Sequence, residues 1–313
     1  MKAWQYTGPG EPIRLTDVEE PVPGPGEVAI QVLASGLCHT EIGFLDGHLP
    51  AAYLAKTPIT LGHEVAGRVS ALGEGVTELE VGDVVGVLSG ALGPAFAYDG
   101  GFAPTLTAPV DHVLRAPDGI PLSRLAVGAD AGMVAHRALV VTGGVSAGTR
   151  LGVIGLGGLG VSAVQMGVAL GATVYAAEPR GALHEHARGW GVEECFADAG
   201  EFAGLDLDVI VDLAGYGTTT AAAVDTVRPG GTVVVVGTAV STSTINTTML
   251  VGKNVRLLGH QGGSADDLSA YWQFLADGLD PMVTEIGFDE IGEGLERLRR
   301  GEVQGRLIAV LES

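Results

Sequence analysis

Cysteine is scarce in this chain, since its 313 residues contain only two, Cys38 and Cys195. Two cysteines cannot form a disulfide framework. The N-terminus, MKAWQYTGPG, also lacks the basic and apolar regions of a signal peptide. We therefore expect a reducing, cytoplasmic setting.

Basic residues are few as well, with 17 Lys and Arg against 37 Asp and Glu and a formal net charge of -20. An acidic surface repels phosphodiester backbones and anionic lipid headgroups. The charge balance argues against nucleic acid and anionic membranes as partners. It favours a soluble protein that binds a small molecule.

Charged residues are absent from Leu151 to Ala177, a segment that by length alone would qualify as a membrane span. Its small-xxx-small glycine spacing also suits a membrane helix interface. The glycines and the strand-helix-strand punctuation tell against a span. We expect no membrane-spanning segment here.

The chain has two different patterns of predicted secondary structure, and its length favours two domains. The first third has short strands separated by Gly and Pro, such as KAWQYT, EVAIQVLASG and EVAGRVSALG, which predict a compact, irregular β-barrel-like unit. From about residue 123, apolar Val/Ile strands alternate with helices, as a doubly wound parallel sheet requires. The terminal GRLIAVLE is a strand that must pair with the β-rich unit. We predict domains at 1–130, completed by about 266–313, and at 131–265.

The segment VIGLGGLG places Gly155, Gly157 and Gly160 as G-x-G-x-x-G between an apolar strand and a helix. This arrangement predicts a dinucleotide-binding loop with the pyrophosphate at the helix N-terminus. The next strand ends at Glu178, where a carboxylate can accept hydrogen bonds from the adenosine ribose and favours NAD over NADP. Arg180 weakens that preference, because an arginine can hold a 2′-phosphate. A nucleotide-free α/β domain or a methyltransferase is the alternative for this motif alone.

Cys38 in ASGLCHTEIG and His63 in LGHEVAGRV are candidates for a second kind of site, a metal centre. A thiolate and an imidazole suit zinc, whose catalytic sites use three protein ligands and keep a fourth position open. At least one ligand is missing from this pair. Taken singly, each residue is more often an ordinary buried or surface residue.

The motifs GLCHTE, LGHEVAGRV, VGDVV, DGGFA, VIGLGGLG and GEVQGRLIAV together resemble the zinc-dependent alcohol dehydrogenases of the medium-chain dehydrogenase/reductase superfamily. The resemblance covers nearly the whole chain and implies a GroES-like irregular β-barrel catalytic domain plus a Rossmann domain. It implies Cys38 and His63 as zinc ligands and Asp130 as the third. Glu64 would lie in or beside the inner coordination sphere.

Further roles follow from the same resemblance. Thr40 would exchange the alcohol proton, His39 would approach the pyrophosphate, and Arg306 would reach the cofactor from the terminal strand. The remaining cofactor contacts would come from two groups of residues. They are the loop residues Gly158 and Leu159, and, toward the nicotinamide, Val236, Gly237, Leu258, Gly259 and His260.

The chain departs from the family pattern twice. The segment between Val84 and Gly101 is too short, and lacks the cysteines, for the lobe that binds a structural zinc in many members, so one catalytic zinc per chain is expected. The histidine that ends the family's proton relay is replaced here by Gly43, and His48 is a candidate substitute.

The resemblance implies reversible hydride transfer between NAD(H), with NADP(H) as an alternative, and a small, preferably secondary, alcohol and its carbonyl. A homodimer or homotetramer is expected. Two alternatives stay open: a superfamily reductase acting on C=C or C=N bonds, such as an enoyl, quinone or imine reductase, and a non-catalytic NAD(P)-binding protein.

Overall fold

The computed structural model describes residues 1–311. The strands are β1 (Lys2–Tyr6), β2 (Arg14–Asp17), β3 (Glu27–Leu37), β4 (Ile59–Thr60), β5 (Glu64–Leu72), β6 (Val84–Val87), β7 (Thr105–Pro109), β8 (Val113–Arg115), β9 (Arg150–Ile154), β10 (Thr173–Ala177), β11 (Glu194–Phe196), β12 (Val209–Asp212), β13 (Thr232–Val235), β14 (Arg256–Gly259), β15 (Val283–Gly287) and β16 (Arg306–Val310). The α-helices are α1 (His39–Leu45), α2 (Leu122–Val127), α3 (Met133–Arg137), α4 (Gly158–Ala169), α5 (Ala182–Gly189), α6 (Gly217–Thr226), α7 (Thr247–Gly252), α8 (Ala265–Ala276) and α9 (Ile291–Arg299).

The chain forms two compact units. Unit 1 comprises residues 1–133 together with the chain from residue 262 onward, and unit 2 comprises Val134–Gln261. The boundaries predicted from the sequence, at 130/131 and about 265/266, fall within a few residues of these.

Unit 1 is built on two sheets. The smaller has the order β2-β1-β4, and the larger runs β15-β16-β3-β5-β6-β8, with β7 also paired to β3. The terminal strand β16 pairs antiparallel with β3, with Leu307 opposite Leu37. The predicted host for the last strand is therefore confirmed. Two apolar clusters fill this unit. One contains Tyr6, Phe44 and Phe102, and the other contains Ile30 and Leu106.

Unit 2 is a parallel sheet with the order β11-β10-β9-β12-β13-β14. Counted from β9, this is the 3-2-1-4-5-6 order of a doubly wound nucleotide-binding fold. Val209 to Asp212 in β12 are all buried, as a central strand covered on both faces requires. The uncharged segment Leu151–Ala177 forms β9, α4 and β10, so the membrane-span alternative for it is wrong.

One helix runs from Leu122 to Thr142 and is long and apolar enough to cross a membrane by length and composition alone. Within it, α2 and α3 are each followed by a π-helical segment, Gly128–Gly132 and Ala138–Thr142. Of its most apolar window, 67% is buried inside the protein. The apolar character therefore matches a core helix.

Candidate metal centre and dinucleotide site

Four potential metal ligands meet in unit 1. The thiol of Cys38, the imidazole of His63 and the carboxylates of Glu64 and Asp130 each offer one ligand atom, and these atoms lie within 4.8 Å of one another. The first three residues are buried, and the Asp130 side chain is 17% exposed. Residues 1–311 contain no second group of three or more His, Cys, Asp or Glu arranged in this way. The structure thus brings together every residue predicted to lie at the metal.

The pairing of β3 with β5 assembles three of the four residues of this cluster. The antiparallel register places Gly36 opposite Glu64, so Cys38, just after β3, lies beside His63, just before β5. Position 36 requires glycine, because a Cβ there would collide with the Glu64 carboxylate. Cys38 then acts as the N-cap residue of α1.

Asp130 reaches the cluster from the π-helical segment of the long helix, and its Oδ2 lies 3.4 Å from Nε2 of His63. A π turn changes the direction in which helix side chains project, and such turns are frequent at functional sites. The backbone N–H of Ser89 donates to the Ala129 carbonyl at 3.1 Å, which ties this turn to the loop after β6.

Glu41 is a site residue that the sequence interpretation missed. Its Oε1 lies 2.5 Å from Nδ1 of His63, and its Oε2 accepts the Cys38 N–H at 2.9 Å. Because an ionised carboxylate only accepts, Nδ1 carries the proton and Nε2 faces Asp130. A carboxylate behind a ligating histidine fixes the ring orientation and raises its basicity. The available signal was the glutamate three residues after the N-cap, as in a capping box.

The electrostatics of the cluster favour a bound cation. Burial raises the pKa of the Cys38 thiol, but the Arg306 charge and the His63 contacts outweigh it and bring the pKa down to about 7. Burial likewise opposes a charged His63, yet the Glu41 and Asp130 carboxylates raise its pKa well above the usual value. One sulfur, one nitrogen and carboxylate oxygens form a donor set that suits zinc. The residues present therefore fit this metal.

Glu64 is already paired in the structure. The Arg306 guanidinium donates from Nε to its Oε2 at 2.8 Å and from a second nitrogen to Oε1, and both side chains are buried. A terminal nitrogen of Arg306 also lies 3.8 Å from Asp130 Oδ2. Arg306 was predicted to reach the cofactor, whereas its partners here belong to the metal cluster. Any contact with a cofactor stays a prediction.

The glycine loop in unit 2 has the features that a dinucleotide requires. Gly155 has φ +89°, in the left-handed region, and Gly157 caps α4. A Cβ at Gly160 would collide with the Gly155 carbonyl, whereas a Cβ at Gly157 would meet no atom within 4 Å. The first and last glycines thus serve backbone packing, and the middle one leaves open space in front of the N–H groups of α4. A pyrophosphate fits that space.

Glu178, at the end of β10, does not present an available carboxylate. Its Oε2 accepts the Leu156 N–H at 2.8 Å and a terminal nitrogen of Arg180 at 3.0 Å. Its Oε1 accepts the Arg180 backbone N–H at 3.0 Å and Nε at 2.7 Å. Burial raises the pKa of this carboxyl, but these hydrogen bonds outweigh it and lower the pKa overall. Glu178 was predicted to accept hydrogen bonds from the ribose hydroxyls, whereas its partners here are Leu156 and Arg180, and the ribose contact stays a prediction.

The other predicted cofactor residues lie at the carboxyl edge of the same sheet or in α1. Val236 and Gly237 follow β13, and their N–H groups both donate to the Asp212 carbonyl, at 2.9 and 3.0 Å. Nδ1 of His260 lies 3.0 Å from the Thr142 hydroxyl. The remaining positions are Gly158 and Leu159 at the start of α4, Leu258 and Gly259 in exposed β14, and His39, exposed at the start of α1.

Two family models match the chain. The alcohol dehydrogenase GroES-like domain matches residues 24–118, and the zinc-binding dehydrogenase model matches residues 158–277. The chain belongs to the zinc-type alcohol dehydrogenases of the medium-chain dehydrogenase/reductase superfamily. The first match contains Cys38 and His63, and the second contains Gly160, the last glycine of the loop, and Glu178.

Relatives and a solved structure are similar to this chain over most of its length. An alcohol dehydrogenase of Geobacillus stearothermophilus is 29% identical over 95% of this chain and 96% of its own length. A protein of Oryza sativa subsp. japonica named "Probable cinnamyl alcohol dehydrogenase 8A" is 28% identical over 90% of this chain and 87% of its own length. The structure of acetophenone reductase from Geotrichum candidum in complex with NAD has a TM-score of 0.91 at 27% identity, covering 99% of this chain and 96% of that one.

Within this zinc-type alcohol dehydrogenase, local packing explains why position 43 is a glycine. A Cβ at Gly43 would lie 2.8 Å from Cγ of Leu49, so a side chain there would require Leu49 to move. His48, the candidate substitute in the proton relay, is exposed. Thr40 remains beside the metal cluster, with its hydroxyl 3.5 Å from the Cys38 sulfur.

Phe96 is a second residue of this dehydrogenase that the sequence interpretation missed. Its ring meets the His63 imidazole edge-on at 5.9 Å between centroids and meets Phe44 at 5.6 Å. The preceding residue, Ala95, is buried with φ +65°, a strained conformation for a non-glycine residue. Phe96 is half-buried, so part of the ring remains accessible beside a candidate metal ligand. No motif in the sequence marks this position.

Proposed function

We propose that the protein catalyses reversible hydride transfer between NAD(H) and a small alcohol and its carbonyl, with zinc held by Cys38, His63 and Asp130. The observation that carries the proposal is the convergence of the four ligand atoms within 4.8 Å. Membership in the zinc-type alcohol dehydrogenases supports the same reaction.

Three protein ligands leave one position of a tetrahedral zinc site open, and zinc supplies Lewis acidity there when bound. Glu64 is the weakest candidate ligand, because its two oxygens accept from Arg306. Glu41 holds the ring of His63 so that Nε2 points into the cluster. These contacts support a ligand set of Cys38, His63 and Asp130.

Thr40 exchanges the alcohol proton in this proposal, because its hydroxyl is half-buried and lies beside Cys38. Gly43 offers no side chain to receive that proton. The proton therefore passes from the Thr40 side of the site to water.

Two observations support a dinucleotide cofactor: the glycine loop of this chain and the NAD bound to the acetophenone reductase relative. Open space at Gly157 and the twelve-residue helix behind it support binding of a dinucleotide pyrophosphate. The acetophenone reductase relative, solved with NAD, supports NAD as a cofactor. NADP is proposed as a second cofactor.

A secondary alcohol and its ketone are the proposed substrate class. The high structural similarity to an enzyme named for reduction of the aryl ketone acetophenone supports it. An aldehyde is the next choice, since relatives include proteins named as cinnamyl alcohol dehydrogenases.

We also propose one zinc per chain, a cytoplasmic location and a homodimer or homotetramer. The chain has only two cysteines, which supports the absence of a four-cysteine zinc lobe. All four residues of the edge strand β14 are exposed, including Leu257 and Leu258, and such an edge is stabilised when a second copy covers it. Light scattering on the purified protein measures the number of subunits directly.

Metal analysis combined with a substrate screen tests the proposal. We expect roughly one zinc per chain, and oxidation of secondary alcohols when nicotinamide absorbance is followed with NAD and with NADP. Absence of zinc would contradict the metal site. Turnover only of enones or imines would assign the chain to the other reductases of the superfamily.

A further inference from the structure

The carboxylate of Glu178 is saturated by its own chain. A carboxylate offers about four acceptor positions, and Glu178 accepts four hydrogen bonds, three of them from Arg180 and one from Leu156. The residue is 2% exposed. No acceptor position remains for the two hydroxyls of an adenosine ribose.

Arg180 is the charged group that reaches the surface at this point. Its side chain is 37% exposed, against 3% for that of Glu178. One terminal nitrogen also lies 3.3 Å from the Leu156 carbonyl, which places the guanidinium against the glycine loop at the end of β9. The guanidinium is therefore fixed, partly exposed and adjacent to the open space at Gly157.

The pair also changes the charge that a cofactor meets. A lone carboxylate at the end of β10 would repel a 2′-phosphate, but here its charge is balanced by a guanidinium at 2.7 Å. Arginine binds phosphate through charge-assisted and often bidentate hydrogen bonds. The exposed member of the pair is the cationic one, so an approaching phosphate meets positive charge first.

We propose that Arg180 recognises the 2′-phosphate of NADP(H), and that Glu178 is a positioning residue for Arg180 rather than an acceptor for the ribose. The protein then uses NADP(H) beside NAD(H). This inference rests on the proposed function only in requiring a dinucleotide at the glycine loop.

Calorimetry with ADP-ribose and 2′-phospho-ADP-ribose tests the proposal without zinc, alcohol or hydride transfer. We expect the unmodified protein to bind the phosphorylated ligand at least as tightly as ADP-ribose. R180A should lose about tenfold in affinity for the phosphorylated ligand and change less than about threefold for ADP-ribose. R180K, which keeps the charge without the planar fork, should fall between the two.

E178Q distinguishes the two roles of the acid. If Glu178 positions Arg180, this variant keeps its ADP-ribose affinity within about threefold and loses affinity for the phosphorylated ligand, because the guanidinium is no longer held by two carboxylate oxygens. If Glu178 accepts the ribose hydroxyls, ADP-ribose affinity falls about tenfold. That second result would overturn the proposal, as would an unchanged ligand preference in both R180A and R180K.

The outcome separates from that of the proposed function. Discrimination by Arg180 in a protein that oxidises no alcohol would support the inference and contradict the proposed reaction. Alcohol oxidation with NAD, together with a more than hundredfold preference for ADP-ribose over its 2′-phosphate, would support the reaction and overturn the inference.

Discussion

Both units bury acidic side chains, at the metal cluster in unit 1 and beside the glycine loop in unit 2. The partners of these carboxylates differ between the two units. In unit 1, the Glu41, Glu64 and Asp130 carboxylates surround His63 and Arg306, and the donor atoms converge on one point. In unit 2, the single acid Glu178 turns onto Arg180, two residues away. A buried carboxylate takes the nearest strong donor because an unpaired charge is costly. The donor atoms of unit 1 therefore face a common point where a ligand can bind. In unit 2, the Glu178 carboxylate is occupied by Arg180.

The strongest test of the contrast removes a metal ligand. Cys38→Ser should lose zinc and about 1000-fold in kcat/KM, because the Lewis acid is worth several kcal/mol. Binding of ADP-ribose should not change, since the glycine loop lies in unit 2. Metal analysis, steady-state kinetics and calorimetry measure the three effects.

Cys195→Ser is the matched control. Burial raises the pKa of the Cys195 thiol to about 11, so it is a neutral, buried thiol at neutral pH. Zinc content and activity should stay at the level of the unmodified protein. Retention of zinc in Cys38→Ser would contradict the proposed site.

Glu41→Gln tests whether the carboxylate behind His63 tunes the metal. The amide oxygen can still accept the Cys38 N–H, but the negative charge at Nδ1 is lost. Zinc affinity should fall about 10- to 100-fold in competition with a chelator. The exposed Glu11→Gln is the control, and equal affinities in the two variants would refute this role for Glu41.

Gly157→Ala tests the open space in the cofactor loop. Its φ of -81° permits alanine, and the new Cβ meets no protein atom within 4 Å, so the protein should fold normally. The methyl group would occupy pyrophosphate space, and ADP-ribose affinity should fall about tenfold.

Gly160→Ala is the counterpart in the same loop. Its Cβ would collide with the Gly155 carbonyl, so the melting temperature should fall by several degrees. Equal melting temperatures for the two variants would mean that the loop glycines do not divide their roles as described.

Phe96→Ala should have the smallest effect on overall activity and a selective one on substrates. Removing the ring beside His63 enlarges the space near the metal cluster, so the ratio of kcat/KM for acetophenone over acetone should rise about fivefold. Phe202→Leu, a core change in unit 2, should lower stability without altering this ratio. An unchanged ratio in Phe96→Ala would limit Phe96 to core packing.

Much of the architecture could be predicted from the sequence because it depends on local periodicity. Apolar Val/Ile runs separated by helices predicted the parallel sheet, and Gly/Pro punctuation predicted the β-rich unit. Short strands carried too little pattern: β11, only three residues from Glu194 to Phe196, was not predicted. The same holds for β7 and β8, whose edges are defined by pairing with β3 and β6.

Some site residues could be identified from the sequence, and others could not. Cys38 and His63 were identifiable because thiol and imidazole chemistry is specific to few uses, and Asp130 followed from the family resemblance. Glu41 and Phe96 were missed, since their importance lies in the orientation of a side chain toward His63. The pairing of Glu178 with Arg180 was also missed, although both residues were considered for cofactor binding.

The sequence by itself determined the two-unit organisation, the doubly wound sheet, the dinucleotide loop and the chemical types available for a metal. These depend on residue identity and on spacing along the chain. Only the tertiary structure decided that Glu41 orients His63, that Arg306 neutralises Glu64, and that Arg180 occupies the carboxylate of Glu178. Those pairings depend on which charges lose water together on folding, and desolvation is a property of the packed chain rather than of any segment.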